Sequence, residues 1–148
     1  MIYGLYSDIK SKRYIRLKPA MSFKTKITYL KDVFKGRSIS YGRTFITKKD
    51  TEIATLPVGY ADGYNRLLSN RAYVLVGGVY CSVVGRICMD HTMIDVTGVG
   101  AQIGDEVVLI GKQRNLEISA ERIAHLCSTI SYEVVCWISK RVPRVYIS

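Results

Sequence analysis

Long apolar runs are missing from this sequence. The longest, such as those within 53–58 and 106–110, are far shorter than the roughly 20 residues that a membrane-spanning helix needs. The first 18 residues also lack the unbroken apolar stretch and small-residue cleavage site of a secretory signal. The cysteines, Cys81, Cys88, Cys127 and Cys136, follow no disulfide pattern. These absences predict a reduced, cytoplasmic protein without a transmembrane helix.

Proline and acidic residues are also scarce. The 148 residues include 3 prolines, and 12 aspartates and glutamates stand against 22 lysines and arginines, for a net charge of +10. With 48% hydrophobic and 23% charged residues, the composition is that of one compact globular domain, which excludes the disordered and fibrous classes. The positive charge favours an anionic contact: nucleic acid, a phosphate-bearing cofactor, a membrane surface or an acidic partner domain.

Alternating apolar and polar residues predict a mainly β domain. Along residues 20–30, alternate side chains from Met21 to Tyr29 share one face, which is the period of a half-buried strand. Gly77-Gly78 predicts a two-residue hairpin loop, because positive φ costs glycine little. Further strands are predicted at 38–45, 52–58, 72–76, 79–84, 87–96, 106–110 and 142–147. So many short strands favour a small closed β-barrel-like domain or a sandwich, because closure removes exposed edges.

The two ends of the chain follow other patterns. Near the C-terminus, Ser119 is placed to cap a helix whose apolar residues share a face, and a second short helix is predicted to begin at Ser131. Residues 1–18 fit neither strand nor helix, and their lysines and arginines predict a solvated linker. The β domain is assigned to 19–148.

Motifs of several common catalytic classes are absent. His91 and His125 lie far apart and without metal-ligand spacing, so no metal site is expected. No Ser-His-Asp order, GxGxxG or phosphate loop is present, which disfavours hydrolases and nucleotide-binding proteins. Lysines interleaved with 11 tyrosines leave open a basic β-barrel that binds single-stranded nucleic acid. A stand-alone dimerisation module is a third alternative.

Three glycine-containing segments are unusual for a plain β domain: SYGRT at 40–44, LPVGYADGYNR at 56–66 and VGRICMDHTMIDV at 84–96. Their glycines let a backbone turn sharply or approach a ligand closely. Taken singly, each has an ordinary structural interpretation. Together, and followed by TISYEVVCWISKRVPRVY at 129–146, they resemble the C-terminal domain of alanine racemase over essentially the whole chain.

The resemblance implies an enzyme that uses pyridoxal phosphate to interconvert L- and D-alanine. Its mostly β C-terminal domain follows an N-terminal (β/α)8 barrel, so 1–18 is expected to be the linker from that barrel. Racemisation removes a proton from one face of the α-carbon and returns one to the other, so it requires two bases. Tyr41 corresponds to the tyrosine base that acts on L-alanine. The opposite base is the lysine that holds the cofactor, and it lies in the barrel.

Other roles carry over from the motifs. Met89 corresponds to the residue whose backbone amide contacts the substrate carboxylate, and Tyr60 to a tyrosine that lines the pocket. Tyr132 corresponds to a tyrosine that hydrogen-bonds the cofactor phosphate and favours alanine over serine, although a serine-preferring racemase stays an alternative. His91 stands where many relatives carry glutamine, with little effect expected. The substrate entrance is implied at three further positions: Arg66, Arg86 and Ile130.

The resemblance also implies partners. In the family the active site forms between the subunits of a head-to-tail homodimer, and each C-terminal domain completes the partner's barrel. Pyridoxal phosphate is held mainly by the barrel, so the isolated chain is expected to lack it and to be inactive. D-Alanine for the bacterial cell wall is the implied role, and neither nucleic acid nor a membrane is expected as a partner.

Overall fold

The computed structural model describes residues 3–6 and 16–147. Within them, the predicted mainly β class with two short helices near the C-terminus is confirmed. The strands are β1 Phe23–Lys26, β2 Tyr29–Val33, β3 Ser38–Ile39, β4 Phe45–Ile46, β5 Thr51–Leu56, β6 Tyr73–Val76, β7 Val79–Ser82, β8 Thr92–Asp95, β9 Glu106–Gln113 and β10 Leu116–Ile118. The helices are α1 Ala120–Cys127 and α2 Ser131–Cys136, and short 3-10 turns occupy Tyr41–Arg43, Tyr60–Asp62 and Arg66–Leu68.

The strands pair in an antiparallel manner around a main apolar core and a smaller apolar cluster of Ile39, Ile53 and Val84. One sheet has the order β1-β9-β6-β7, with β10 also on β9; a second is β2-β5-β8, and β3 pairs with β4. An isolated bridge between Val83 and Ile94 joins the chain after β7 to β8. In the described residues the sheets are thus connected by this bridge and by turns rather than by one continuous ring of hydrogen bonds. No helix in this part of the chain is long and apolar enough to cross a bilayer.

The single strand predicted at 20–30 is wrong, because the structure has two strands there. Ile27 N–H donates to Asp105 O, just before β9, whereas Thr28 N–H donates to Thr55 O on β5, so the chain passes from one sheet to the other between these two residues. The alternation changes phase at this point. Tyr29, predicted to face inward with Ile27, is 55% exposed.

Other strand predictions were too long. Residues 38–45 form a hairpin with a tight turn, because Ser40, Gly42 and Arg43 all have positive φ, which a regular strand does not accommodate. Of 87–96, only β8 is a strand. Residues 142–147 form no strand, and the end of this segment, from Val145 to Ile147, is almost fully exposed. β10 was not predicted.

Local signals gave correct predictions at turns and caps. Gly77 and Gly78 have φ values of 59° and 83° and connect β6 to β7 as a two-residue hairpin loop. Ser119 Oγ accepts a hydrogen bond from Arg122 N–H at 3.2 Å and caps α1. The second helix, α2, begins at Ser131 as predicted.

Residues 3–6 pack against the β domain. Leu5 is 3% exposed, and Ala20 N–H donates to Tyr3 O at 3.1 Å. Tyr132 Oη donates to Leu5 O at 3.2 Å. Much of the linker predicted at 1–18, namely residues 1–2 and 7–15, lies outside the described residues.

Candidate functional site

The SYGRT motif forms the tip of the β3–β4 hairpin and presents Tyr41. The Tyr41 side chain is 74% exposed and makes no hydrogen bond within the described residues. Ser40 Oγ donates to Arg86 O at 2.6 Å. Gly42 has φ 71°, and a Cβ at this position would lie 3.0 Å from Arg86 Nε. The hairpin tip therefore lies directly against the segment that carries Arg86.

The motifs around Tyr60 and Met89 form one backbone unit. Tyr60 N–H donates to Cys88 O at 3.0 Å, and Ala61 N–H donates to Met89 O at 3.1 Å. Cys88 N–H in turn donates to His91 O at 2.9 Å. These bonds explain why 87–91 is not a regular strand: its carbonyl groups pair with a turn instead of a neighbouring strand.

Arg141 braces this unit from the C-terminal segment. Its Nε lies 2.9 Å from Asp62 Oδ1, and its Nη2 lies 2.6 Å from Asp90 Oδ1. Asp62 Oδ2 accepts a hydrogen bond from Gly59 N–H at 2.9 Å. The hydrogen bond to Asp90 and the charge of Asp62 raise the pKa of Arg141. Sequence reasoning missed these three charged residues, although each lies within or beside a motif that it had identified.

Five of the predicted site residues line one open cleft of about 370 Å³. Met89 and Tyr60 are 53% and 43% exposed, so both are accessible from it. Arg86 Nε is buried and has no hydrogen-bond partner among the described residues. The predicted residues in this cleft are Tyr41, Tyr60, Arg66, Arg86 and Met89, and His91 also lines it.

Tyr132 and Ile130 lie elsewhere. Tyr132 projects from α2 into a second, largely apolar cleft, whose other lining residues include Leu5 and Met21. The two clefts share no lining residue. Ile130 occupies the N-cap position of α2 without a side-chain hydrogen bond, is 65% exposed and lines neither cleft. The structure therefore places the predicted site residues in three locations: five in the first cleft, Tyr132 in the second, and Ile130 outside both.

The described part of the chain holds no group of three or more histidine, cysteine, aspartate or glutamate side chains placed to bind a metal ion. The polar side chains that line the Tyr41 cleft are two phenols, two guanidinium groups, the Cys88 thiol, the Asp90 carboxylate and the His91 imidazole.

A small β domain with these motifs gathered around one cleft is a known protein class. The family described as alanine racemase, C-terminal domain, matches residues 20–146. The chain belongs to this family.

Individual relatives agree. The chain is 58% identical to alanine racemase 2 of Caldanaerobacter subterraneus over 147 residues, which are 99% of this chain and 38% of that protein. It is 54% identical to the alanine racemase of Halothermothrix orenii, over 99% of this chain and 39% of that protein. The chain thus spans somewhat over a third of the length of these relatives.

Solved structures show the same fold. The alanine racemase of Bacillus anthracis with bound L-Ala-P superposes with a TM-score of 0.95 at 41% identity, covering 99% of this chain and 38% of that one. The alanine racemase of E. faecalis gives a TM-score of 0.90 at 38% identity, with coverage of 99% and 39%.

Proposed function

We propose that the chain is the C-terminal domain of a pyridoxal-phosphate-dependent alanine racemase and supplies the tyrosine base and part of the substrate pocket. The observation that carries the proposal is the meeting of five motif residues, Tyr41 among them, in one cleft. The relatives and structures described above are all alanine racemases, and none supports the nucleic-acid-binding alternative.

Tyr41 would act as the base for one face of the substrate. Its hydroxyl is exposed and makes no hydrogen bond within the described residues, so it is free to meet a substrate held by another domain. Once it has given up its own proton, Tyr41 Oη would take the α-proton of L-alanine, and it would return a proton in the reverse direction. A phenol on one hairpin reaches only one face, so the second base must come from outside this cleft.

Hydrogen-bond donors in the cleft suit the substrate carboxylate. The Met89 carbonyl accepts from Ala61 N–H, which fixes the orientation of the Met89 backbone, while Met89 N–H has no acceptor among the described residues. The guanidinium groups of Arg86 and Arg66 both line the cleft, although the unpaired Nε of Arg86 is itself buried. Charge-assisted hydrogen bonds from guanidinium groups are strong and directional, so the cleft would attract and orient an anionic amino acid.

The residues present fit a cofactor that another domain anchors. No lysine lines either cleft among the described residues, so neither offers the amine that binds pyridoxal phosphate covalently. The Tyr132 hydroxyl donates only to Leu5 O and would turn to the phosphate. When bound, the cofactor withdraws electrons from the α-carbon and makes its proton acidic.

The separation of the two clefts supports a dimeric arrangement. If Tyr41 and Tyr132 both contact an active site, one domain contributes to two sites. A head-to-tail homodimer meets this requirement, because the Tyr41 cleft would complete the partner's barrel. We also propose that the enzyme acts in the cytoplasm and supplies D-alanine for the bacterial cell wall.

A hybrid enzyme tests the proposal. In it, this chain replaces the matching 38% of Caldanaerobacter subterraneus alanine racemase 2. The hybrid is expected to racemise alanine. Tyr41→Phe is expected to reduce proton abstraction from L-alanine by about 10²- to 10⁴-fold, the usual contribution of a positioned base, without loss of the cofactor's absorbance.

Matched variants sharpen the test. Tyr29→Phe makes the same change at an exposed tyrosine outside the cleft and should leave the rate unchanged. Met89→Ala should retain most activity, because the proposed donor is the peptide N–H. Racemisation by the isolated chain, or full activity of Tyr41→Phe, would overturn the proposal. Faster turnover of serine than alanine would favour the serine-preferring alternative.

A further inference from the structure

The Tyr41 hairpin adopts a backbone conformation that it is poorly able to hold alone. Its strands share only two residue pairs, and an isolated hairpin is marginally stable in water. Ser40 has φ 63° and ψ −177°, a region populated almost exclusively by glycine. Arg43 also has a positive φ, of 51°. Contacts from outside the hairpin must therefore stabilise its tip.

The first such contact is made by the side chain of Ser40. Its Oγ donates to Arg86 O at 2.6 Å and lies 3.6 Å from Cys88 Sγ. Gly85 permits this close approach, since a Cβ there would lie 2.7 Å from both Ser40 Cβ and Ile39 O. Ser40 thereby ties the residue before Tyr41 to the segment that carries Met89.

The second contact is made by Asn70, from the loop before β6. Asn70 Nδ2 donates to Thr44 Oγ1 at 3.1 Å, and Asn70 Oδ1 accepts from Gly85 N–H at 2.6 Å. Because the peptide N–H of Gly85 can only donate, the amide oxygen of Asn70 must face it, and this fixes the orientation of the Asn70 side-chain amide. Asn70 has φ 58°, a conformation that asparagine tolerates better than most residues. It therefore anchors the other side of the turn to the same segment.

We propose that Ser40 and Asn70 are positioning residues that fix the Tyr41 phenol relative to the cleft. Tyr41 itself is exposed and makes no hydrogen bond in the described residues, so its place depends on the backbone on either side. Both anchors end on residues 85–88, which directly precede Met89. The inference about reaction rate rests on the proposed function, whereas the anchoring concerns this chain alone.

Amide hydrogen exchange of the 148-residue chain tests the anchoring. Ser40→Gly and Asn70→Gly remove the side-chain hydrogen bonds without adding strain, because glycine adopts positive φ readily. Arg43→Gly is the matched control, since it places glycine at another positive φ in the same hairpin. We expect exchange across 39–46 to accelerate by about tenfold or more in the two anchor variants, as local opening becomes easier, with β5 unchanged. Exchange no faster than in Arg43→Gly would overturn the anchoring.

The hybrid enzyme tests the consequence for the reaction. A small misplacement of a catalytic group costs up to about 100-fold, so each anchor variant should racemise L-alanine about 10- to 100-fold more slowly than the unmodified hybrid. Exchange of the α-hydrogen of D-alanine with solvent, which uses the opposite base, should persist. Equal loss of both reactions, or of neither, would overturn the positioning role. An inactive unmodified hybrid would contradict the proposed function, and hydrogen exchange would still decide whether the two residues hold the tip.

Discussion

The α-carbon of Gly59 lies directly against the backbone of Met89. A Cβ built on Gly59 would stand 2.4 Å from Met89 O and 2.2 Å from Cys88 O. Gly59 has φ −150°, an extended conformation open to any residue, so the requirement for glycine here is steric. The approach brings the two motifs together and places the Met89 peptide in the cleft.

Gly59→Ala should therefore disturb the cleft through crowding. Because the atoms in the way belong to backbone, the 88–89 peptide must move, and overpacking of this kind costs about 1 to 3 kcal/mol. Urea unfolding measures the loss. Gly98→Ala is the comparison: its Cβ meets nothing within 4 Å, although φ is 75°, so it has a left-handed backbone cost of about 1 to 2 kcal/mol but should leave substrate binding by the hybrid enzyme unchanged. Equally strong substrate binding in Gly59→Ala and the unmodified hybrid would contradict the predicted movement.

Asp62 should matter more for stability than its position in a surface loop indicates. It is 8% exposed and accepts from both Gly59 N–H and Arg141 Nε. Asp62→Ala leaves a buried donor unpaired, which costs about 1 to 3 kcal/mol. Asp62→Asn keeps one oxygen for Gly59 N–H and should lose less.

Chemical denaturation of the Asp62 variants provides the measurement. Asp32→Ala is a suitable control, because Asp32 is exposed on β2 and makes no side-chain hydrogen bond in the described residues. We expect no loss of stability from that change. Equal stabilities of the alanine variants at 62 and 32 would show that the Asp62 bridge is unimportant.

The hydroxyl of Tyr64 is expected to contribute nothing to the free energy of unfolding, or to lower it. The side chain is 1% exposed, and its Oη has no hydrogen-bond partner among the described residues. Burial, with a smaller effect of Cys127, raises the pKa of this phenol. Tyr64→Phe removes an unsatisfied polar atom, so the free energy of unfolding should stay unchanged or rise by about 1 kcal/mol.

Tyr132→Phe is the comparison for Tyr64→Phe. It makes the same chemical change at a tyrosine whose hydroxyl has a partner, because Tyr132 Oη donates to Leu5 O. That change should lower the free energy of unfolding by about 0.5 to 1.5 kcal/mol, the net value of one hydrogen bond. Destabilisation of Tyr64→Phe by as much as Tyr132→Phe would show that Tyr64 Oη does have a partner.

Features fixed by neighbouring residues were predictable from the sequence. The Gly77-Gly78 loop and the Ser119 cap depend on a few adjacent residues, and both formed as predicted. The phase change between Ile27 and Thr28 was not predictable in this way. It arises because the two residues bond to strands or turns that are distant in sequence, at Asp105 and Thr55.

In the candidate site, too, the sequence predicted the residues of local motifs but not the contacts between distant parts of the chain. Motif resemblance identified Tyr41, Met89 and their neighbours, and the structure gathers them in one cleft. The resemblance could not show that Tyr132 lies in a different cleft, because the order of motifs along the chain does not specify distances in space. Ser40 and Asn70 were missed for a related reason: their hydrogen bonds join residues 46 and 15 positions apart.

Alkaline pH should weaken the fold through Cys81. Burial, together with the nearby charge of Asp95, raises the pKa of this thiol from 9.0 to about 11. The folded state then holds the proton more tightly than the unfolded state, so this stabilisation is complete below pH 9 and is lost as the pH rises through 11. One such group contributes a slope of up to about 1.4 kcal/mol per pH unit. Denaturation at several pH values should show a shallower fall in Cys81→Ala, with some slope remaining because burial also raises the pKa of Cys127. Cys136→Ala, which removes an exposed thiol, is the control, and equal slopes in the two variants would rule out Cys81 as a source of the pH dependence.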